Sequence, residues 1–297
     1  MSGGIGLASP TDFAVRKIEM YIQKRASTDR RMSSAWMVVP ILPVVAVVVL
    51  AVGFIGIILS LLPQLQQANA NDVQAAQALA SIFALYGFAF LTLYVVMLIG
   101  AFAIFCFLDR RNKHFTRQQM LFASISSYFL SRSGVISQNV GDLAELSEAS
   151  ALEEEHRSAG SWAMLYVFVT PIVGLVAAYN LTQDLRKHEE RQLKFQDTLA
   201  SAFEESGFQR PSFAAFRPHN RDPMAYLIIA AITAGLFWIY WFYVLLKDYN
   251  EHFEDQAVLE DQILATFKPS ALCKSCASSV PYRAKFCPLC GAAQSAG

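Results

Sequence analysis

Charge is scarce in this chain. Only 16% of its 297 residues are Asp, Glu, Lys or Arg, against roughly 25% in soluble domains. Basic and acidic residues balance at 24 each, which excludes a basic field able to recruit nucleic acid over the whole surface. Residues 36–62 and 80–108 contain no Asp, Glu, Lys, Arg or His, so no proton relay or ion path runs through them. A Gly-rich phosphate loop, a Gly-x-Ser-x-Gly elbow and a kinase signature are all missing, and no enzyme is expected. Cysteine is sparse too. Four of the five fall within the last 25 residues, and Cys106 lies alone in an apolar run as a small core hydrophobe.

What is present is apolar: 54% of residues are hydrophobic and the mean hydropathy is +0.34, a lipid-facing balance. The first apolar run begins at Trp36, which predicts no cleavable signal peptide. Residues 1–35 predict an amphipathic helix, with Ser9 as cap, Pro10 first in the helix and Asp12 three beyond the cap. Val15, Ile18 and Ile22 share one face, beside Arg16, Lys17, Lys24 and Arg25. That helix either lies on an anionic membrane surface or packs on its own domain, and the sequence leaves both open.

Residues 36–268 predict an all-α polytopic membrane domain with four apolar segments, 36–62, 80–108, 162–181 and 224–246. The first two exceed the roughly 20 residues that a bilayer requires. The third is barely long enough and is broken at Pro171; the fourth carries an interfacial aromatic cluster. Lys and Arg are absent from 63–79, six precede Trp36, six lie in 109–160, seven in 182–223 and five follow Leu246. The positive-inside rule therefore puts the N-terminus inside and the first connection outside. Four simple passes then strand the seven basic residues of 182–223 outside. Either segment three or four is re-entrant, as "TPIVG" and "TAG" allow, or the rule is overridden there.

Three of these segments run into one repeated pattern: His, Gln four later, then apolar residues three, seven and eleven beyond the Gln. The copies are His114, Gln118, Leu121, Ile125 and Phe129; His188, Gln192, Phe195, Leu199 and Phe203; and His252, Gln256, Leu259, Ile263 and Phe267. They predict helices over 109–130, 182–204 and 247–268, each continuing a membrane segment. The five markers of a copy share a face, so each stripe must bury itself against headgroups, its siblings or another chain; three siblings could form a small bundle. The favoured role of the histidines is structural: each anchors at the interface or hydrogen-bonds the Gln one turn on. A shared metal, which needs all three on one membrane face, and pH sensing are lesser readings. "HEERQ" lacks the second histidine of a zinc-protease helix, which excludes that enzyme.

The tail holds Cys273-x2-Cys276 and Cys287-x2-Cys290 ten residues apart. Two thiolate pairs supply the tetrahedral soft-ligand shell that Zn²⁺ favours, with no open position for substrate, so zinc here is structural. Disulfides and iron are the competing readings. Thiolates stay reduced most easily in the cytosol, which predicts a multi-pass cell-membrane protein with both termini cytoplasmic. Phe286 and Tyr282 are expected to cover the site and Lys274, Arg283 and Lys285 to offset its charge.

Residues 271–294 resemble the short prokaryotic zinc-ribbon module, including Phe286, Pro288 and Gly291; Ala277 stands where that family usually has glycine. The resemblance implies metal binding and a protein-contact appendage, and no reaction. Residues 233–253 are similar to an uncharacterised prokaryotic membrane family through Thr233, Gly235, Phe237, Tyr240, Trp241, Asp248 and Asn250. That implies membrane location alone.

Elsewhere, the acidic stretch 137–160 predicts a solvated helix, and His219, in the Pro- and Phe-rich loop 208–223, reads as a surface residue. Residues 262–297 have no Asp or Glu, but four basic residues are too few for nucleic-acid binding by counterion release. The expectation is a membrane scaffold or regulatory adaptor that contacts a protein partner through the ribbon or the repeat helices, in a lipid bilayer. The sequence sets no oligomeric state. A small transporter or channel subunit is the alternative, and a membrane enzyme using the three histidines comes third.

Overall fold

In a computed structural model, residues 10–66, 72–132, 137–170, 172–214, 217–267, 269–281, 286–287 and 289–294 are described. Ser9, Pro171, Tyr282, Arg283, Lys285 and Pro288, singled out above, lie outside them. The described chain is almost entirely helical. Its helices are α1 (Pro10–Gln23), α2 (Arg25–Thr28), α3 (Val38–Gln66), α4 (Asp72–Arg132), α5 (Gln138–Glu153), α6 (Ala159–Phe168), α7 (Ile172–Glu205), α8 (Pro223–Ile232) and α9 (Trp238–Phe267). Two short strands, β1 (Pro269–Leu272) and β2 (Ser279–Pro281), pair antiparallel in the tail.

Among the described residues two helices are long and apolar enough to cross a membrane: the one through α3, at Ser34–Leu62, and α4 from Leu79. The first is almost wholly uncovered by protein. Segments three and four behave differently. α6 and α8 are ten residues each, about 15 Å long and half of a hydrocarbon core. Each then doubles back on itself. Tyr166 of α6 packs against Gly174 of α7, and Arg157, just ahead of α6, pairs with Asp184 at 2.7 Å. In the same way Arg221, just ahead of α8, pairs with Asp248 of α9 at 3.0 Å, while Tyr226 meets Trp241.

Local chemistry explains the second reversal. The Asp222 side chain caps α8 by accepting from the Met224 and Ala225 amides, and Pro223 follows it. Ala234 and Gly235 then take positive φ (48° and 88°), and the Thr233 hydroxyl accepts from the Phe237 amide to start α9. In the first hairpin the Tyr166 ring also fills the face of α4 at Gly100. A Cβ there would lie 2.6 Å from the phenol oxygen, so only glycine lets the hairpin approach.

Four simple passes are thus not what the chain folds into. The first two apolar segments form a long hairpin, α3–α4, and the third and fourth form short ones, α6–α7 and α8–α9. Because both short hairpins reverse, the continuations of α4, α7 and α9 leave the apolar region in the same direction. The N-terminal segment is on that side too: Arg25 pairs with Asp261, and the Met32 amide donates to Asn250. His188 of α7 and His114 of α4 lie together beside Asp29 of the N-terminal segment, so this part of α7 and the N-terminal residues are at one end of the structure.

Beyond the apolar region the three repeat stripes pack on one another as a stalk. Leu121, Phe195 and Leu259 are buried together, as are Ile125, Leu199 and Ile263. Phe129, Phe203 and Phe267 close the far end with ring centroids 5.0 to 6.2 Å apart. Each fully buried side chain of this size is worth about 1.5–3 kcal/mol of burial, enough to hold three helices that no turn joins directly. α1 lays Ala14, Ile18 and Ile22 into the same core, so it packs on its own domain. α5 is not a freely solvated helix: Val140, Leu143, Ser147 and Ser150 form a buried face against α4 and α7.

Candidate functional site

The stalk carries one cluster of metal-ligating side chains at each end. At the far end the β1–β2 hairpin and the two cysteine pairs sit on the phenylalanine layer, with Cys273, Val280 and Cys287 joining its core. The two knuckles are built alike. The Ala277 amide donates to the Cys273 carbonyl, and the Gly291 amide to the Cys287 carbonyl, at 2.8 and 2.9 Å. Ala277 and Gly291 both take positive φ, 54° and 72°, so alanine occupies the turn for which glycine is suited, with the geometry kept. The sulfurs of Cys273 and Cys290 lie 3.7 Å apart, and those of Cys276 and Cys287 3.6 Å apart. Four sulfurs tetrahedrally placed about 2.3 Å from a central ion would be about 3.7 Å apart. The donor set and its spacing fit a metal ion. Phe286 is more than half exposed and Lys274 is exposed.

At the end nearer the apolar hairpins, His114, His188 and His252 come together, one from each repeat. All three are buried, and one ring nitrogen of each lies within 4.8 Å of one from each of the others. His114 Nε2 and His252 Nε2 are 3.1 Å apart. The other nitrogen of each ring faces a carboxylate: His114 Nδ1 is 3.0 Å from Asp29, His188 Nδ1 2.7 Å from Glu154 and His252 Nδ1 3.3 Å from Glu189. Each carboxylate is braced by a cation in turn. Arg117 holds Asp29, Arg191 holds Glu154, and His219 holds Glu189, at 2.7 to 2.9 Å.

These partners fix the carboxylates in their ionised form. Burial works to raise Glu154, but His188 and Arg191 outweigh it and hold it at about 2. Burial likewise opposes the ionisation of Glu189, and hydrogen bonds from His219 and His252 bring it to about 2. Against burial, His114 and Arg117 keep Asp29 well below the usual carboxylate range. Burial pushes His252 down, partly offset by its bond to Glu189.

One turn on lies a layer of three buried glutamines. Gln192 donates to Gln256, and Gln256 donates to Glu260 at 3.0 Å. The Oε1 and Nε2 of Gln118 have no hydrogen-bond partner. Neither His114 nor His188 bonds the Gln four residues on.

No protein-family model, curated protein or solved structure matches this chain. The likeness of 271–294 to a zinc ribbon therefore rests on the four clustered cysteines themselves, which are compatible with a zinc-binding module.

Asp29, Glu154 and Glu189 were invisible as functional residues in the sequence, since they come from the N-terminal segment, the end of α5 and α7. One signal was available. Arg117 and Arg191 both stand three residues after the repeat histidine and are buried or nearly so. A basic residue recurring beside a buried stripe implies a buried acid. His219 is not a surface residue: it is largely buried between Glu189 and Glu251, and these with Asp248 raise it to about 9 against its burial. His219, Asp248 and Glu251 form a third group of clustered donors, but Arg221 already occupies Asp248.

Proposed function

We propose that this chain is an integral membrane adaptor, with α3 and α4 as two full passes and the α6–α7 and α8–α9 hairpins each entering half of the bilayer. Both termini and the stalk face the cytosol, the ribbon binds structural zinc, and its tip meets a protein partner. The observation that carries the partner reading is apolar exposure at the far end of a stalk held away from lipid. Leu272, Phe286 and Leu289 flank the cysteines and are each more than half exposed, whereas the repeat stripes are consumed inside the stalk. The ribbon, and not the repeat helices, is the contact surface. Apolar exposure along α3 and at the hairpin tips Phe168 and Ile232 supports the membrane placement.

Transport draws less support. A cavity of about 590 Å³ lies between α3 and the two hairpin tips, but its lining is Val, Ala, Pro, Leu and Trp with Tyr166 and Thr170 among them, a lining suited to acyl chains rather than to ions.

Two measurements test the reading. A cysteine placed at the exposed Asp197 should react with an impermeant reagent only from the cytosolic side; labelling from outside would restore four passes. A photocrosslinker at position 289 should give one discrete adduct in cells, lost on Leu272→Ser; an adduct pattern that the substitution leaves unchanged would remove the ribbon tip as a partner surface.

A further inference from the structure

We propose that His114, His188 and His252 form a second metal site, a buried three-imidazole centre for zinc that ties the three repeats together where the stalk meets the membrane. One ring nitrogen of each histidine lies within 4.8 Å of one from each of the others. His114 Nε2 and His252 Nε2 face each other at 3.1 Å. An ionised carboxylate only accepts hydrogen bonds, so His188 Nδ1, 2.7 Å from Glu154, is the donor of that pair, and the ring turns its other nitrogen to the cluster. That nitrogen, His188 Nε2, is buried without a hydrogen-bond partner.

A single divalent ion accepts one lone pair from each of the three buried rings at once. The surroundings match that role. Metal-bound histidines characteristically donate their second N–H to a carboxylate, which fixes the tautomer and raises ligand basicity; here His188 Nδ1 is hydrogen-bonded to Glu154, and Asp29 and Glu189 lie 3.0 and 3.3 Å from the Nδ1 of His114 and His252. Arg117, Arg191 and His219 hold those carboxylates in place. Gln118, one turn from His114 with both polar atoms of its amide buried and unpartnered, is placed to complete a fourth position. Imidazole donors suit zinc, copper, iron and nickel; zinc, which imposes no geometry of its own, fits a site without a redox partner.

The site is distinct from the cysteine cluster, and stoichiometry separates them. The full-length protein in detergent, titrated with Zn²⁺ against a chromophoric chelator, should bind two equivalents. Cys287→Ser with Cys290→Ser should bind one. Glu154→Gln, which keeps the shape of the side chain but not its charge, should bind two, one of them about 10- to 100-fold more weakly. In the double serine variant, Co²⁺ should give visible bands without thiolate charge transfer. Saturation of the wild type at one equivalent would overturn the proposal, as would a double serine variant that binds none or a Glu154→Gln protein with both affinities unchanged. None of these outcomes depends on a histidine variant folding.

Discussion

The two donor clusters of the stalk differ most in how they are assembled. Cys273 and Cys290 are 17 positions apart in the chain, whereas His114 and His252 are 138 apart. The cysteines are gathered by two local knuckles, each closed by its own backbone hydrogen bonds. The histidines meet only after three hairpins have packed side by side. Loop closure costs grow slowly with length, so the second cluster is entropically affordable, but it exists only in the assembled fold. The far cluster is gathered by local chain, although Cys273, Val280 and Cys287 pack on the stalk core, and the near one is a product of the whole.

The largest test of that contrast is removal of the cysteine ligands. Structural zinc contributes on the order of 10 kcal/mol or more to the folding of small modules of this kind. In the Cys287→Ser, Cys290→Ser protein, hydrogen exchange should show protection lost across β1 and β2 and retained around His114, His188 and His252. Loss at both ends would mean that the two clusters fold as one unit.

A smaller effect sharpens the near end. The fold raises His219 to about 9 from its ordinary value near 6.5, so it favours the protonated ring. That stabilisation is fully present below about pH 6.5 and is lost as pH rises through about 9. Allowing for solvent screening, about 1–2 kcal/mol is at stake. Thermal unfolding between pH 7 and 10 should show a fall that His219→Gln abolishes; equal falls in both proteins would place the titration elsewhere.

The smallest effect returns to the ribbon. Ala277 adopts a positive φ that costs an L-residue about 1–2 kcal/mol. Ala277→Gly should therefore stabilise the first knuckle by up to about 1 kcal/mol, read as slower zinc loss to a chelator. Faster loss would show that the alanine methyl contributes packing that outweighs the strain.

The repeats were legible because His, Gln and three apolar positions recur at helical spacing, and the layers Leu121/Phe195/Leu259 through Phe129/Phe203/Phe267 follow from them. The cysteine cluster was legible because its ligands are close in sequence. The hairpins were half legible. "TPIVG" and "TAG" announced breaks, but a 20-residue apolar run has the same composition whether it crosses once or turns halfway. Length alone does not separate one pass from two half-passes. The acidic residues around α5 hid a buried face made partly of Ser147 and Ser150, which a hydrophobicity pattern does not register. Glu154 looked like one of three adjacent surface acids. Only the position of His188 tells it from Glu153 and Glu155, and position is a tertiary fact.

α4 has one further consequence. It is a single helix of 61 residues, about 90 Å from end to end, with its first half against α3 and its second half in the stalk. A beam of that length turns small rotations into large displacements: a lean of about 5° swings its tip by several ångströms. A rotation imposed on the upper portion is thereby delivered, through continuous backbone, to the layers beneath the ribbon.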